Sequence, residues 1–306
     1  MRKGFCDAIE KLAIANEKII LLTGDLGFMA LESVQKSIGN RFINTGVSEQ
    51  NMVSMAASLS SQGFTVFCYS IAPFVVFRPA EQIRLDVCLH NMDVKIIGNG
   101  GGYGYGIMGS THHAIEDIAV LSSFQNMRCY IPFCAEDVEE ITKQMTTRRG
   151  PAYIRLERGS KPGYIKIPAY NPIRKILSGN KLTIVSMGPI SLNAIKAIEA
   201  LSPKRNIADV FVVSEIPMLE LTKQLTASIK KNGRLLVIEE HVGRGGLGEN
   251  LSLQLMKKSI VPKKFSHLHA VGYPDGLYGD QQFHQQKCDL DPKSIEKTIK
   301  KMTNEK

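Results

Sequence analysis

The sequence predicts an α/β fold of two doubly wound units, the second smaller than the first. Three observations carry that expectation. Short apolar runs of strand length alternate with stretches of helical period long enough to cross over a parallel sheet. The alternation breaks once, over residues 158–180, where three prolines and three glycines occur without a clear period. The 306 residues, at about 150 per domain, leave room for two separate cores. The expected boundaries are therefore a first domain over residues 1–160, a connector over 161–180 and a second domain over 181–306.

Each element follows in order. Phe5, Ala8, Ile9 and Leu12 share one face of an opening helix, and KIILLTGD (18–25) reads as a buried strand after it. Further strands are expected at RFINTGV (41–47), TVFCYS (65–70), VKIIGN (94–99), RCYIP (128–132) and AYIRLE (152–157). Crossover helices fit EQNMVSMAASLSSQ and AEDVEEITKQMTTR. Past the connector, KLTIVSMG, NIADVFVVS, RLLVIEEH and HLHAVGY read as strands, separated by helices in ISLNAIKAIEAL, MLELTKQLTASIKK and LGENLSLQLMKK. The Lys-rich end KSIEKTIKKMTNEK reads as a solvated helix.

Composition narrows the class. Hydrophobic residues at 43% and charged residues at 22% exclude a disordered chain. No apolar run reaches about 18 residues and the first dozen residues lack the apolar centre of a signal peptide, so the expected location is the cytoplasm, with no membrane partner. The net charge of +9 is spread along the chain and no recognition motif accompanies it, which argues against nucleic acid as a partner. Cysteines 6, 68, 88, 129, 134 and 288 form no CxxC pair and read as reduced core thiols.

Several motifs bear on chemistry. The glycine-rich GNGGGYGYGIMG (98–109) contains a GxGxxG match, but it follows the fourth expected strand rather than the first and lacks the acidic residue about 20 positions on. GRGGLG (243–248) lies between a strand and a helix, yet Leu268 stands where a ribose-binding carboxylate belongs, so a close-packing turn is favoured over an NAD site. His267 and His269 alternate onto one strand face without an evident third ligand, which leaves no metal site. Glu49 in GVSEQNM opens a helix at the carboxyl edge of the sheet, where ligands bind; a first-turn acid that merely favours the helix dipole is the simpler reading. Thr111 is expected to cap the following helix while His112 faces whatever the glycine loop encloses. Phe74 and Phe77, three apart on a helix, suit core packing or a stacking wall for a planar ring.

Taken in order, TGDLG, INTGVSEQNM, YSIAPFVVFRPAEQIR, GSTHHAIEDIAVL and PAYIRLERG resemble the pyrimidine-binding domain of transketolases. VSMGPISLNAIKAIEAL and HVGRGGLGENLS are similar to the transketolase C-terminal domain, so the resemblance spans nearly the whole chain. It implies thiamine diphosphate as cofactor, with Glu49 holding a proton on the aminopyrimidine nitrogen, Phe74 and Phe77 stacking on the ring, and Asp25 and Leu26 lining the cofactor. His112 matches the histidine that meets substrate oxygens. The family's GDG motif, which with a later Asn holds Mg²⁺ on the diphosphate, is absent here, and only about two dozen residues precede TGDLG. The resemblance thus implies the C-terminal subunit of a split transketolase, inactive alone and completed by an N-terminal subunit carrying GDG in an α2β2 heterotetramer.

Departures from the family point to an altered substrate. Met108 and Gly100 stand where transketolases carry Asp and His toward the sugar, and Ile131 and Met29 where Arg and Ser grip the phosphate. The expectation is a substrate other than an ordinary pentose phosphate, or one that presents its phosphate differently. The alternatives are the β subunit of a 2-oxoacid dehydrogenase, which THH disfavours, a silent scaffold subunit, and an NAD-binding protein using GRGGLG.

Overall fold

A computed structural model describes residues 1–159, 163–202 and 206–304. The first sheet uses strands β1 (Ile19–Thr23), β2 (Phe42–Asn44), β3 (Thr65–Ile71), β4 (Val94–Asn99), β5 (Arg128–Tyr130), β6 (Ala152–Leu156) and β10 (Glu215–Ile216) in the order β10-β5-β6-β4-β3-β1-β2. All its neighbours are parallel except β10, which runs antiparallel to β5. The second sheet orders β12 (Lys264–Ala270), β11 (Arg234–Val242), β8 (Leu182–Met187), β9 (Ala208–Val213) and β7 (Ile173–Leu177), with only β7 antiparallel to its neighbour. Helices on both faces explain why β1 and β8 are buried along their whole length and read as continuous apolar runs rather than alternating ones.

Helices α1 (Arg2–Ala15), α2 (Glu32–Ile38) and α3 (Glu49–Ser61) flank the first half of the first sheet. After β3 the chain runs through α4 (Ala72–Phe77) and α5 (Ala80–Gln82) into a π-helical turn over Ile83–Leu89. Short α6 (Asp117–Ser122) and α7 (Ala135–Thr147) complete that unit. The second unit carries α8 (Ser191–Leu201), α9 (Lys223–Asn232), α10 (Leu247–Lys257), α11 (Gln281–Lys287) and α12 (Pro292–Asn304). Residues 305 and 306 of the expected terminal helix lie outside the described residues.

The two units share one interior. A continuous apolar cluster includes Val53, Val66 and Ile96 of the first and Val185, Phe211 and Val237 of the second. A buried ion pair reinforces it: the Arg174 guanidinium on β7 meets both carboxylate oxygens of Asp137 on α7, at 2.8 and 2.6 Å. Strand β7 falls inside the expected connector, and β10, from beyond it, joins the first sheet. Among the described residues no helix is long and apolar enough to cross a membrane.

Candidate active site

The carboxyl edge of the first sheet gathers the residues singled out in the sequence. Glu49 begins α3 but does not behave as a simple first-turn acid. It is only 3% exposed, its Oε1 accepts from the Ser70 hydroxyl at the end of β3 (3.2 Å), and its Oε2 accepts from Arg78 Nη1 (2.9 Å). The loop after β1 packs beside it, since a side chain at Gly24 would lie 3.6 Å from Glu49 Oε1. Asp25 sits in that loop with φ +59°, and its amide donates to Asn44 Oδ1 while Asn44 Nδ2 returns a bond to Asp25 Oδ1, both 3.0 Å. Thr23 Oγ1 fixes Leu26 by donating to its carbonyl at 2.7 Å. Asp25 and Leu26 are thereby held against the turn that launches Glu49.

Phe74 on α4 lies next to this carboxylate through Arg78. The Arg78 guanidinium carbon is 3.8 Å from the Phe74 ring centroid, so one planar cation bonds Glu49 and covers the Phe74 ring. The His112 ring meets Phe74 edge-on with centroids 5.1 Å apart, and Tyr105 stands 5.8 Å from the same imidazole. Arg78 thus links Glu49 to Phe74, and Phe74 in turn meets His112. Phe77, one helical turn past Phe74, is more exposed and makes no ring contact among the described residues.

One expectation fails locally. Thr111 does not cap a helix; its hydroxyl pairs with His112 Nδ1 at 2.9 Å, and α6 begins only at Asp117. Ile131, which stands where the family carries a phosphate-gripping Arg, is completely buried in the core. Cations converge elsewhere. Arg2 and Arg158 line a cleft of about 280 Å³ together with Asn99, Gly100, Tyr105 and Glu157. Tyr105 belongs both to this cleft and to the His112 contacts, so the cleft lies beside the His112 ring. Burial pushes the Glu157 carboxyl up to about 8, against the pull of Arg155, whose Nε lies 3.1 Å away.

Arg2, Arg78 and Arg158 escaped the sequence reading. Arg78 carried a signal, since it follows Phe74 by four residues and hence by one helical turn. Arg2 and Arg158 carried none, because only the fold brings the start of α1 to the end of β6.

The glycine motifs prove structural. GYGIMG forms a short 3₁₀ turn over Gly106–Met108, not the start of a long helix. At GRGGLG the amides of Leu247 and Gly248 donate to Glu239 at 2.7 and 2.9 Å, so the protein's own carboxylate fills the place a pyrophosphate would take. Side chains at Gly246 or Gly248 would collide with Glu239 and with the His267 ring. His267 Nε2 bonds Glu239 at 2.7 Å and His269 Nδ1 donates to the Ala270 carbonyl, and no group of three candidate metal ligands occurs among the described residues. His113 is buried, with Nε2 donating to the Gly106 carbonyl and Nδ1 accepting from the Tyr273 hydroxyl, each at 2.8 Å. Burial pulls its pKa down to about 4.

The chain is similar to known proteins in both of its units. Residues 1–162 match the family described as "Transketolase, pyrimidine binding domain" and residues 173–294 the one described as "Transketolase, C-terminal domain". The chain is 30% identical over 279 residues to an apulose-4-phosphate transketolase subunit of Phocaeicola vulgatus, covering 90% of this chain and 87% of that one. It is 27% identical over 317 residues to the 6-deoxy-6-sulfo-D-fructose transketolase subunit SqwH of a Clostridium species, covering 100% and 95% of the two chains. A solved structure of a split gene transketolase, an inactive beta4 tetramer, superposes with a TM-score of 0.83 at 27% identity, over 99% of this chain and 98% of that one. The carboxyl-edge cluster thus stands in a fold and a sequence matched in both halves, and this chain belongs to the transketolase family.

Proposed function

We propose that the chain is the C-terminal subunit of a split, thiamine-diphosphate-dependent ketol transferase acting on ketoses that end in an anionic group. When bound, the cofactor supplies the carbanion-stabilising centre that two-carbon transfer requires. One observation carries the reading. Arg78 places a flat cationic group on the Phe74 ring while bonded to the buried Glu49, the pair of contacts that an aminopyrimidine needs. Glu49 then holds the proton at the pyrimidine ring nitrogen, and Phe74 and Phe77 wall the ring. Asp25 and Leu26 line the cofactor from the β1 side. His112 stabilises charge or moves a proton at the substrate oxygens during C–C bond cleavage and formation. The phosphate and sulfo groups in the relatives' names support an anionic ketose, and Arg2 and Arg158, which line one cleft, bind its distal anion.

Mg²⁺ and the diphosphate belong to a separate N-terminal subunit carrying GDG, in an α2β2 heterotetramer. Large apolar side chains at the carboxyl edge support such a partner: Phe28, Met29 and Ile107 are 87%, 84% and 78% exposed. The inactive tetramer of a split relative supports the expectation that one subunit type alone does no chemistry. Six buried, unpaired cysteines support a reducing compartment, hence the cytoplasm. The decisive experiment titrates thiamine diphosphate and Mg²⁺ into the chain alone and into the co-produced pair, then assays ketol transfer from apulose 4-phosphate and 6-deoxy-6-sulfo-D-fructose. Tight binding and turnover by the pair only is the expected result. Turnover by the single chain overturns the proposal, and native mass of the pair checks the stoichiometry.

A further inference from the structure

The glycine loop that carries Tyr105 and His112 is held from outside its own unit. Glu240, near the end of β11, is buried and touches none of the candidate site residues. Its Oε1 accepts from the Tyr103 amide (2.7 Å) and from Gln281 Nε2 (2.9 Å), and its Oε2 accepts from Gln285 Nε2 (2.6 Å). The approach is close enough that a side chain at Gly102 would stand 2.5 Å from Oε1. The other end of the loop is tied to the same place. Arg155 Nη2 donates to the backbone carbonyls of Glu240 (2.8 Å) and Ala114 (2.9 Å), and Tyr273 donates to His113. Residues 104–112, bearing Tyr105 and His112, therefore span two anchors, one on Glu240 of the second unit and one that Arg155 of β6 shares with Glu240 and Tyr273.

We infer that Glu240 is a positioning residue for the reaction: it fixes the glycine loop so that His112 and Tyr105 face the bound ketose, and the second unit acts as the scaffold of the substrate half of the site. The inference rests on the proposed ketol-transfer reading. Three donors converge on one carboxylate, so its removal leaves the Tyr103 amide buried without an acceptor and loosens the loop beyond the Gly102–Ala114 backbone bridge that closes its neck. Glu49 and Phe74 sit on α3 and α4, outside the anchored segment, which meets them only where the His112 ring touches Phe74, so cofactor affinity depends far less on Glu240 than the rate does.

The test compares Glu240→Ala and Glu240→Gln in the complex with the partner subunit. In Glu240→Ala, hydrogen exchange at Tyr103 through His113 accelerates at least about tenfold, and kcat/KM for apulose 4-phosphate and 6-deoxy-6-sulfo-D-fructose falls about 10–100-fold, as misplacement of a catalytic group by about 1 Å does. Thiamine diphosphate affinity stays within about twofold of the unmodified complex. Glu240→Gln keeps an acceptor for the Tyr103 amide and recovers most of the rate. Glu240→Asp, which withdraws the carboxylate from the Tyr103 amide while keeping a charge beside Gln281 and Gln285, gives the same split in weaker form if Glu240→Ala does not fold. Exchange in the loop needs no substrate, so it judges Glu240 separately from the ketol-transfer reading. Unchanged exchange, or a parallel loss of cofactor affinity and rate, overturns the inference.

Discussion

Replacing Glu49 with Gln separates a catalytic carboxyl from a structural one. The amide keeps an oxygen for the Ser70 hydroxyl, a bond whose net worth is about 1 kcal/mol. It forfeits the charge pairing with Arg78, but the Arg78 side chain is 44% exposed and reaches water, so solvent screening limits that loss to about 1 kcal/mol or less. Folding and assembly therefore survive. In the proposed role catalysis should not, because an amide cannot hold the proton on the pyrimidine nitrogen, and removal of a general acid–base partner costs about 10²–10⁴-fold, or roughly 3–5 kcal/mol of barrier. The assay is steady-state ketol transfer by the co-produced pair at saturating cofactor, with thermal melting and native mass run alongside. A kcat within twofold of the unmodified pair refutes the assignment, and a pair that no longer assembles reassigns Glu49 to structure.

Arg158→Ala should raise KM for a ketose with a terminal phosphate about 10–100-fold with little change in kcat, since a charge-assisted hydrogen bond is worth about 1.5–3 kcal/mol; an unchanged KM removes the cleft from substrate binding. Asp137→Ala strands the buried Arg174 fork and the Phe133 amide, 3.0 Å away, and should cost about 3–5 kcal/mol in urea unfolding, with a loss under about 1 kcal/mol counting against the pair. His113 is held neutral down to about 4 in the fold, whereas an unfolded histidine protonates near 6.5. Its contribution is therefore complete above about 6.5 and lost as pH falls toward about 4, so the melting temperature of the unmodified chain should drop more steeply across that window than that of His113→Gln. Parallel profiles would show that His113 does not titrate there.

Much of the fold was legible because buried parallel strands are long apolar runs, as in VKIIGN and KLTIVSMG, and their helices keep a 3.6 period. What escaped has physical causes. Strand β7 carries two cations, Arg174 and Lys175, which mask an edge strand whose charges are satisfied by Asp137 and Asp209. Strand β10 is two residues long and carries no periodic signal. Helix α9 starts at Lys223 rather than near Met218 because Thr222 caps it, accepting from the Leu225 amide at 3.2 Å. In the site, Glu49 and Phe74 were legible through motif and spacing. Arg2 and Arg158 were not, because an arginine's task depends on what the fold brings to it, here from residues 156 positions apart.

Strand β10 has a consequence for how this chain can be taken apart or recombined. Its Glu215 and Ile216 pair with Tyr130 and Cys129, so the outer border of the first sheet is sealed by residues contributed from deep within the second half. A truncation ending near residue 160 would leave β5 with a bare row of amides and carbonyls, a template for aggregation. Exchanging halves between relatives would succeed only if the crossover respected this stitch, so the two halves have to be engineered together.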